Sequence, residues 1–389
     1  MTKKWSSRLT FFAFVVLMVG LGSNDSLRGI FSTIFQEHFS LTTTQLGLIV
    51  TASYIGNLVF LLVGGNLSTR FSKKRVLQVL ILIWMAALAL FAFTSNYTVL
   101  LIGMALALGS STLLNTTMNL ITPLLFATAP GFFVNFLFFT QEIGTSGSQY
   151  ILGSHADGFA FWQHTNLVLL ILGAVAFVLL LFCNVPEEAA DPADTPAQKG
   201  GYDWRIIVPY VLVFGFYFIA EHGVMNWMVA YGVDGLGLPQ ASAAKYLSVF
   251  FGGMMIGRLC LSPLVDKLGA LKSLAAFGGV SCVLYLIGSL GGAVTMPVWA
   301  ISGLSFSILY PTLVMSIRLY FPAQQVSGAA GTILSIASLA DILFNVGFGK
   351  LVDMAGYAVS IRVLPLSVLE FFIVFMLFTK FCKPTQKLK

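Results

Sequence analysis

The feature that most constrains this chain is a series of apolar runs, each about 20 residues long, separated by short polar breaks. A run of this length spans the hydrocarbon core of a bilayer when it forms an α-helix. Composition agrees, because 57% of the 389 residues are apolar and only 9% are charged, whereas a soluble domain carries about 25% charged residues. The sequence therefore predicts an all-α membrane protein and excludes a soluble or disordered chain.

The apolar runs predict twelve membrane-spanning helices in two halves. The first run follows three basic residues and has no small-residue cleavage site, so we interpret it as a span and not as a cleaved signal peptide. The longest polar stretch, at 185–204, predicts a linker between halves at 1–184 and 205–389. The twelve spans are expected near 9–34, 44–68, 76–95, 98–124, 131–153, 165–184, 205–231, 242–264, 271–291, 295–318, 326–349 and 362–381.

The positions of lysine and arginine predict the orientation. Most of the 21 basic residues fall in the N-terminal segment, the C-terminal tail, the linker and alternate loops on the same side. Such loops face the cytoplasm. We therefore expect a multi-pass protein of a bacterial inner membrane with both termini and the 185–204 linker in the cytoplasm.

The two halves carry a repeated pattern at an offset of 197 residues (264 minus 67). Four pairs match at this offset: Leu67 with Leu264, Arg70 with Lys267, Arg75 with Lys272, and Gly56 with Gly253. Two six-span halves in parallel repeat are typical of the major facilitator superfamily. The second copy also resembles that superfamily's loop pattern, Gly-x-Leu-x-Asp-Arg-x-Gly, at Leu264, Asp266, Lys267 and Gly269. The first copy departs from it at Thr69 and Ser72.

Several segments, in order along both halves, resemble the fucose–proton symporter family. They are NDSL at 24–27, TASYIGNLVFLLVGGNLSTRFSKK at 51–74, FVNFLFF at 133–139, GGMMIGRL at 252–259, YPT at 310–312 and GKLVDMAG at 349–356. The resemblance implies a major facilitator fold and the uptake of a monosaccharide coupled to proton entry. The expected partners are a small polar solute, protons and the bilayer. The only energy source expected is the proton gradient, without a cofactor, and the working unit expected is a monomer.

Five acids fall well inside spans, where an ionisable residue needs a partner or a function. The resemblance implies that Asp25 carries the coupled proton. The family's second acid aligns with Asn115, whose amide cannot carry a proton, so either the route differs or Glu142 on the next span replaces it. The offset places position 25 at 222, beside Glu221, which makes Glu221 a third candidate. The fifth acid, Glu370, is expected to be structural.

Other charged residues are candidates for ion pairs or gating. Arg28, three residues after Asp25, offers a competing interpretation in which it only neutralises that acid. Asp341 is expected to form a structural pair with another span. The family has an arginine at the position of Arg258, which implies a functional role. The alternative is that Arg258 lies at the membrane interface and forms a network with Asp266.

Polar uncharged residues on the spans predicted to line the cavity could hold a sugar, whose hydroxyls need donors and acceptors and whose C–H face suits an aromatic ring. The alternative for each is a hydrogen bond between helices. The candidates are Asn24, Asn57, Asn115, Asn119, Gln141, Asn226, Trp227, Tyr310 and Asn345.

Two other classes of function stay open. One is a proton-coupled exporter of drugs or metabolites, although span five lacks the Gly-Pro stretch that such exporters usually carry. The other is a receptor or sensor that transports nothing, which predicts a large soluble domain. The scattered histidines and cysteines show no metal-ligand spacing, and no nucleophile elbow or phosphate loop is present, so the sequence predicts neither an enzyme nor a metal site. No nucleic-acid partner is expected.

Overall fold

The computed structural model describes residues 3–126, 130–183, 185–186 and 202–384, and within these ranges the chain is helical, with no β-strand. The all-α prediction is confirmed. The chain divides into two compact units, Met1–Asp191 and Pro192–Lys389. Most of the predicted linker 185–204 lies outside the described residues, and so does the side chain of Asp266.

In the first unit the described residues form seven α-helices. Six are long, and the short α2 follows α1 after a break at Phe31. The helices are α1 (Lys3–Ile30), α2 (Ser32–Phe39), α3 (Thr43–Arg70), α4 (Lys73–Phe93), α5 (Tyr97–Leu125), α6 (Pro130–Ile151) and α7 (Phe159–Leu181).

The second unit has nine α-helices among its described residues, because the spans Met296–Leu319 and Tyr357–Phe381 each contain more than one helix. A π-helical turn at Tyr231–Gly235 extends α8, and 3₁₀ turns lie at Gly292–Val294 and Ile317–Leu319. The helices are α8 (Trp204–Ala230), α9 (Gln240–Leu268), α10 (Ala270–Leu290), α11 (Met296–Ile301), α12 (Gly303–Phe306), α13 (Leu309–Ser316), α14 (Ala323–Ala355), α15 (Tyr357–Ser360) and α16 (Val363–Phe381).

The span predicted at 295–318 is broken into α11, α12 and α13. Serine hydroxyls bond to backbone carbonyl groups near these breaks. Ser302 Oγ donates to the carbonyl of Trp299 at 2.6 Å, and Ser305 Oγ donates to that of Ser302 at 2.9 Å. Pro311 then has no N–H to donate to the preceding turn. The apolar run therefore predicts the span but not its segmentation.

The helices pair in the same order in both units. In the first, α1 packs against α6 and α7, α3 against α5, and α4 against α5 and α7. In the second, α8 packs against α14 and α16, α9 against α11 and α12, and α10 against α11 and α16. With spans numbered one to six within each unit, the pairs are first with fifth and sixth, second with fourth, and third with fourth and sixth. The predicted pseudo-symmetry of two six-helix halves is confirmed.

A glycine sits at the same place in the second span of each unit. A Cβ added to Gly56 of α3 would lie 2.0 Å from the carbonyl oxygen of Ala105 on α5. A Cβ added to Gly253, the match predicted by the repeat, would lie 3.0 Å from the backbone nitrogen of Leu304 on α12. Small residues let membrane helices approach closely, so both positions use glycine for helix contact, and Gly56 has less room for a side chain than Gly253.

Eleven helical segments of the described residues are long and apolar enough to cross a membrane. They cover every predicted span except 131–153, where α6 forms a helix of 22 residues. The second half of α6 carries Gln141, Glu142 and Gln149, which lower its apolar content. Large apolar side chains also point outward, such as Val168 at 63% exposure, as expected where lipid is the solvent.

Candidate functional site

Asp25 lies in the last third of α1 with a half-buried side chain. Its Oδ2 accepts a hydrogen bond from Ser111 Oγ on α5 at 3.1 Å. The neighbouring Asn24 places its Nδ2 3.5 Å from the other carboxylate oxygen. The acid is thus tied to a second span by a neutral hydroxyl group, which is a contact that sequence reasoning missed. The sequence does contain an indication of this contact, because Ser111 lies four residues before Asn115 and therefore on the same face of span four.

Arg28 lies one turn further along α1 and is only 6% exposed. It interacts electrostatically with Asp25. Its guanidinium carbon lies 5.4 Å from the ring centroid of Tyr54 on α3, within the range of a cation–π contact. The arginine named as a neutraliser of Asp25 therefore also contacts an aromatic ring on another span.

Three amide side chains form a hydrogen-bonded row between α5 and α6. Asn115 Nδ2 donates to Gln141 Oε1 at 2.7 Å, and Asn119 Nδ2 donates to Asn115 Oδ1 at 2.6 Å. We call these three residues the amide row. The Oδ1 atom of Asn119 is buried and has no hydrogen-bond partner among the residues described. A buried acceptor in this state can receive a ligand hydroxyl group.

Two further candidates lie on the helices around the amide row. Asn57 on α3 also has a buried Oδ1 that accepts no hydrogen bond within the described part of the chain. Glu142 follows Gln141 on α6, where its side chain points about 100° away around the helix. The α6 residue bonded to Asn115 is thus the amide Gln141 and not the acid Glu142. The amide at position 115 pairs with another amide.

Asp341 of α14 is 2% exposed, and its Oδ2 lies 2.5 Å from Nδ1 of His222 on α8. This is the pairing with another span that we expect from the sequence, but its partner was not among the sequence candidates. His222 itself is 26% exposed and stacks against Phe218, with ring centroids 5.4 Å apart. The contact joins the first and fifth spans of the second unit.

A chain of amide and indole groups continues from Asp341. Asn345 Nδ2 donates to the Asp341 backbone carbonyl at 2.8 Å and lies 3.3 Å from Asp341 Oδ1. Trp227 Nε1 donates to Asn345 Oδ1 at 2.9 Å, and Asn226 Nδ2 lies 3.5 Å from the same atom. Asn226, Trp227 and Asn345 are at most 2% exposed. These three sugar candidates therefore fit the alternative of hydrogen bonds between helices.

Glu221 and His222 are adjacent on α8 but have different neighbours. Glu221 interacts electrostatically with Tyr217 and with Tyr310 of α13. Arg258 of α9 interacts with the same two tyrosines. Asp266 lies eight residues after Arg258 on α9, which is about 12 Å along the helix axis. Arg258 therefore lies close to two interior residues of the unit, Tyr217 and Tyr310.

The chain is similar in sequence to several bacterial transporters. It is 24% identical to the L-fucose–proton symporter of Escherichia coli (strain K12) over 333 residues, which cover 74% of this chain and 75% of that protein. It is 24% identical to the cis,cis-muconate transport protein of Acinetobacter baylyi, covering 71% and 70% of the two chains. It is 26% identical to a glucose/galactose transporter of Brucella abortus (strain 2308), covering 82% and 81%.

Solved structures share the fold at lower identity. A D-xylose–proton symporter superposes with a TM-score of 0.78 at 16% identity, covering 97% of this chain and 98% of that one. A nucleoside transporter superposes with a TM-score of 0.77 at 12% identity, covering 97% and 100%. The sequence pattern described as Major Facilitator Superfamily matches residues 10–345. The chain is therefore a multi-pass membrane transporter and not an enzyme, and it belongs to the Major Facilitator Superfamily.

Proposed function

We propose that this transporter takes up a monosaccharide together with protons across a bacterial inner membrane, as a monomer and with the proton gradient as its only energy source. The observation that carries the proposal is the arrangement along α5. Ser111, Asn115 and Asn119 are spaced four residues apart and so share one helix face. Successive turns of this face contact the Asp25 carboxylate of α1 and carry the two asparagines of the amide row.

The two parts of this arrangement suit the two substrates. Amides offer both donors and acceptors, as sugar hydroxyl groups require, and Asn119 Oδ1 already lacks a partner among the described residues. Asp25 is an acid inside a span, where an ionisable group is costly unless it functions. When Asp25 takes up a proton, its attraction to Arg28 falls and its contact with Ser111 changes. Proton occupancy therefore alters the same helix face that carries the amides.

The test uses Asp25→Asn in proteoliposomes. Asparagine mimics the protonated acid, so a carrier fixed in that state still exchanges sugar between two saturated sides but cannot use a proton gradient. We expect uphill uptake to disappear while counterflow survives. The matched control is Glu370→Gln, which removes an exposed acid on α16 and should leave both activities unchanged.

The double variant Asp25→Asn with Arg28→Gln separates the competing interpretation. If Asp25 only neutralises Arg28, the single variant leaves a buried cation without its counter-charge and impairs folding, and the double variant restores both folding and uphill transport. Sugar accumulation by the double variant would remove Asp25 from the coupling role and make Glu142 or Glu221 the next candidate.

The solute is identified by competition in the counterflow assay. The panel contains L-fucose, D-glucose, D-galactose and D-xylose, with cis,cis-muconate as a dicarboxylate that tests the opposite chemistry. We expect a monosaccharide to compete and muconate not to compete. Competition by muconate alone would replace the sugar in this proposal with an organic anion.

A further inference from the structure

A second titratable centre lies in the C-terminal unit, one residue beyond the coupling candidate Glu221 on α8. Asp341 is 2% exposed and its carboxylate oxygen lies 2.5 Å from the imidazole of His222. A buried carboxylate is strongly unfavourable without a partner that supplies a proton or a positive charge. Histidine supplies either one, because its charge changes in the physiological pH range.

The neighbours of the pair fix the carboxylate in place. One oxygen contacts His222, and the other lies 3.3 Å from Asn345 Nδ2. Asn345 is itself fully buried and accepts a hydrogen bond from Trp227, which is also fully buried. Such a supported polar network holds its geometry while a proton moves within it.

The imidazole is the more accessible side of the pair. The His222 side chain is 26% exposed, compared with 2% for Asp341. Of the two groups, the histidine is therefore the one placed to exchange a proton while the aspartate stays buried. The centre thus combines a fixed buried base with a partly exposed donor.

The internal repeat gives independent support. The offset of 197 residues that aligns Gly56 with Gly253 carries position 25 to position 222, which is His222 itself. Asp25 and His222 both lie on the first span of their units, and the helix pairing of the two units is the same. The equivalent positions of the two units thus both carry a titratable group.

We propose that His222 and Asp341 form a second proton-binding site, in which one proton is shared between the imidazole and the carboxylate. With one proton the pair is neutral; gain of a second leaves it positive, and loss of the first leaves it negative. Both charged forms weaken the attraction that joins α8 to α14 in the neutral, shared form. The site therefore links proton occupancy to the contact between these two helices.

Other titratable or charged groups lie around the pair. Those on the elements packed against α8 are Arg258 on α9, Tyr285 on α10, Tyr310 on α13 and the exposed Glu370 on α16, besides Tyr217 and Glu221 on α8 itself. Lys350 and Asp353 on α14 and Asp234 beyond α8 lie nine or more residues from the pair, or at least about 13 Å along the helices. Asp341 is the group in contact with His222, so its removal is the decisive change.

The test is a pH titration of histidine-labelled protein by NMR in lipid nanodiscs, without any transported solute. The chain has only four histidines, and His38, His155 and His164 are exposed, so His222→Gln identifies the His222 signal. In the wild type we expect the His222 midpoint to differ from those of the exposed histidines by more than one pH unit, a tenfold difference in proton affinity. In Asp341→Asn we expect the His222 midpoint to move by more than one unit while the others stay in place.

Glu370→Gln is the matched control, because it removes an acid from the same unit without touching the pair, and all four midpoints should stay unchanged. A His222 signal that titrates with the exposed histidines in the wild type would overturn the proposal, even if Asp341→Asn does not fold. An unchanged His222 midpoint in folded Asp341→Asn would also overturn it. Since no solute is added, the outcome does not depend on whether the transporter carries a sugar.

Discussion

The two six-helix units pair their helices in the same order but place different chemistry at equivalent positions of the first span. In the N-terminal unit, Asp25 accepts a hydrogen bond from the neutral Ser111, and half-buried amides follow on the next turns of α5. In the C-terminal unit, His222 contacts Asp341, and the groups that follow, Asn345 and Trp227, are completely buried. The same helix pairs pack together in both units. The side chains at the contact differ, and they determine whether a ligand can reach it.

The largest expected effect compares the space beside two equivalent glycines, one in each unit. Gly56→Ala places a methyl group against the Ala105 carbonyl, so a backbone has to move. Overpacking of this kind costs about 1–3 kcal/mol, and we expect a clear fall in the melting temperature and in the yield of monodisperse protein. Gly253→Ala, where the gap is 3.0 Å, should lose much less.

The control for this pair is Gly147→Ala on α6, where an added Cβ meets nothing within 4 Å. Its melting temperature should equal that of the wild type. Equal losses for Gly56→Ala and Gly253→Ala would mean that the two positions leave equally little room for a side chain, and the comparison between them would fail.

A second prediction separates binding from stability. Asn345→Ala removes the acceptor of Trp227 and a donor near Asp341, and leaving buried polar groups unpaired costs about 1–3 kcal/mol. We expect a lower melting temperature for Asn345→Ala. Asn115→Ala, in the half-buried amide row, should change stability less and instead raise the KM of transport by about tenfold, equivalent to about 1.4 kcal/mol. Both variants are measured side by side. If Asn345→Ala raised the KM and Asn115→Ala lowered the melting temperature, binding would be assigned to the network of Asn345 and stability to the amide row.

The smallest expected effect concerns a lysine contact in the N-terminal unit. Lys74 Nζ donates to the carbonyl oxygens of Leu181 at 3.0 Å and Cys183 at 2.7 Å, at the C-terminal end of α7. The offset position in the other unit is Leu271, which cannot do so. A cation at a helix C-terminus contributes about 0.3–1 kcal/mol, so Lys74→Met should lower the melting temperature slightly. Arg75→Met, with the same loss of charge, should lower the melting temperature less. A larger loss for Arg75→Met than for Lys74→Met would contradict the role of Lys74 as a cap of α7.

The sequence predicts the helices well because hydropathy over 20 residues is a strong, local signal. All twelve predicted ranges contain helix, and the offset between Gly56 and Gly253 locates corresponding helix contacts. The breaks at Ser302 and Ser307 were missed, since a serine hydroxyl bonding to its own backbone does not change the hydropathy of the run.

The candidate site is less predictable, because its contacts join residues far apart in the chain. Asp25 is conspicuous as an acid inside an apolar run, whereas its partner Ser111 is a small hydroxyl residue like many others in spans. His222 was overlooked next to Glu221, since adjacent residues on a helix have different neighbours, and only the packing of α8 on α14 shows that the histidine contacts Asp341.

The segmented span of the C-terminal unit has a mechanical consequence. A helix such as α10, with 21 continuous residues, resists bending because successive backbone hydrogen bonds act together along its length. Between α11, α12 and α13 that continuity is interrupted twice, and serine hydroxyls occupy carbonyl groups that would otherwise stiffen the rod. We therefore expect the tenth span to bend at these two points more readily than α10, the continuous helix packed beside it.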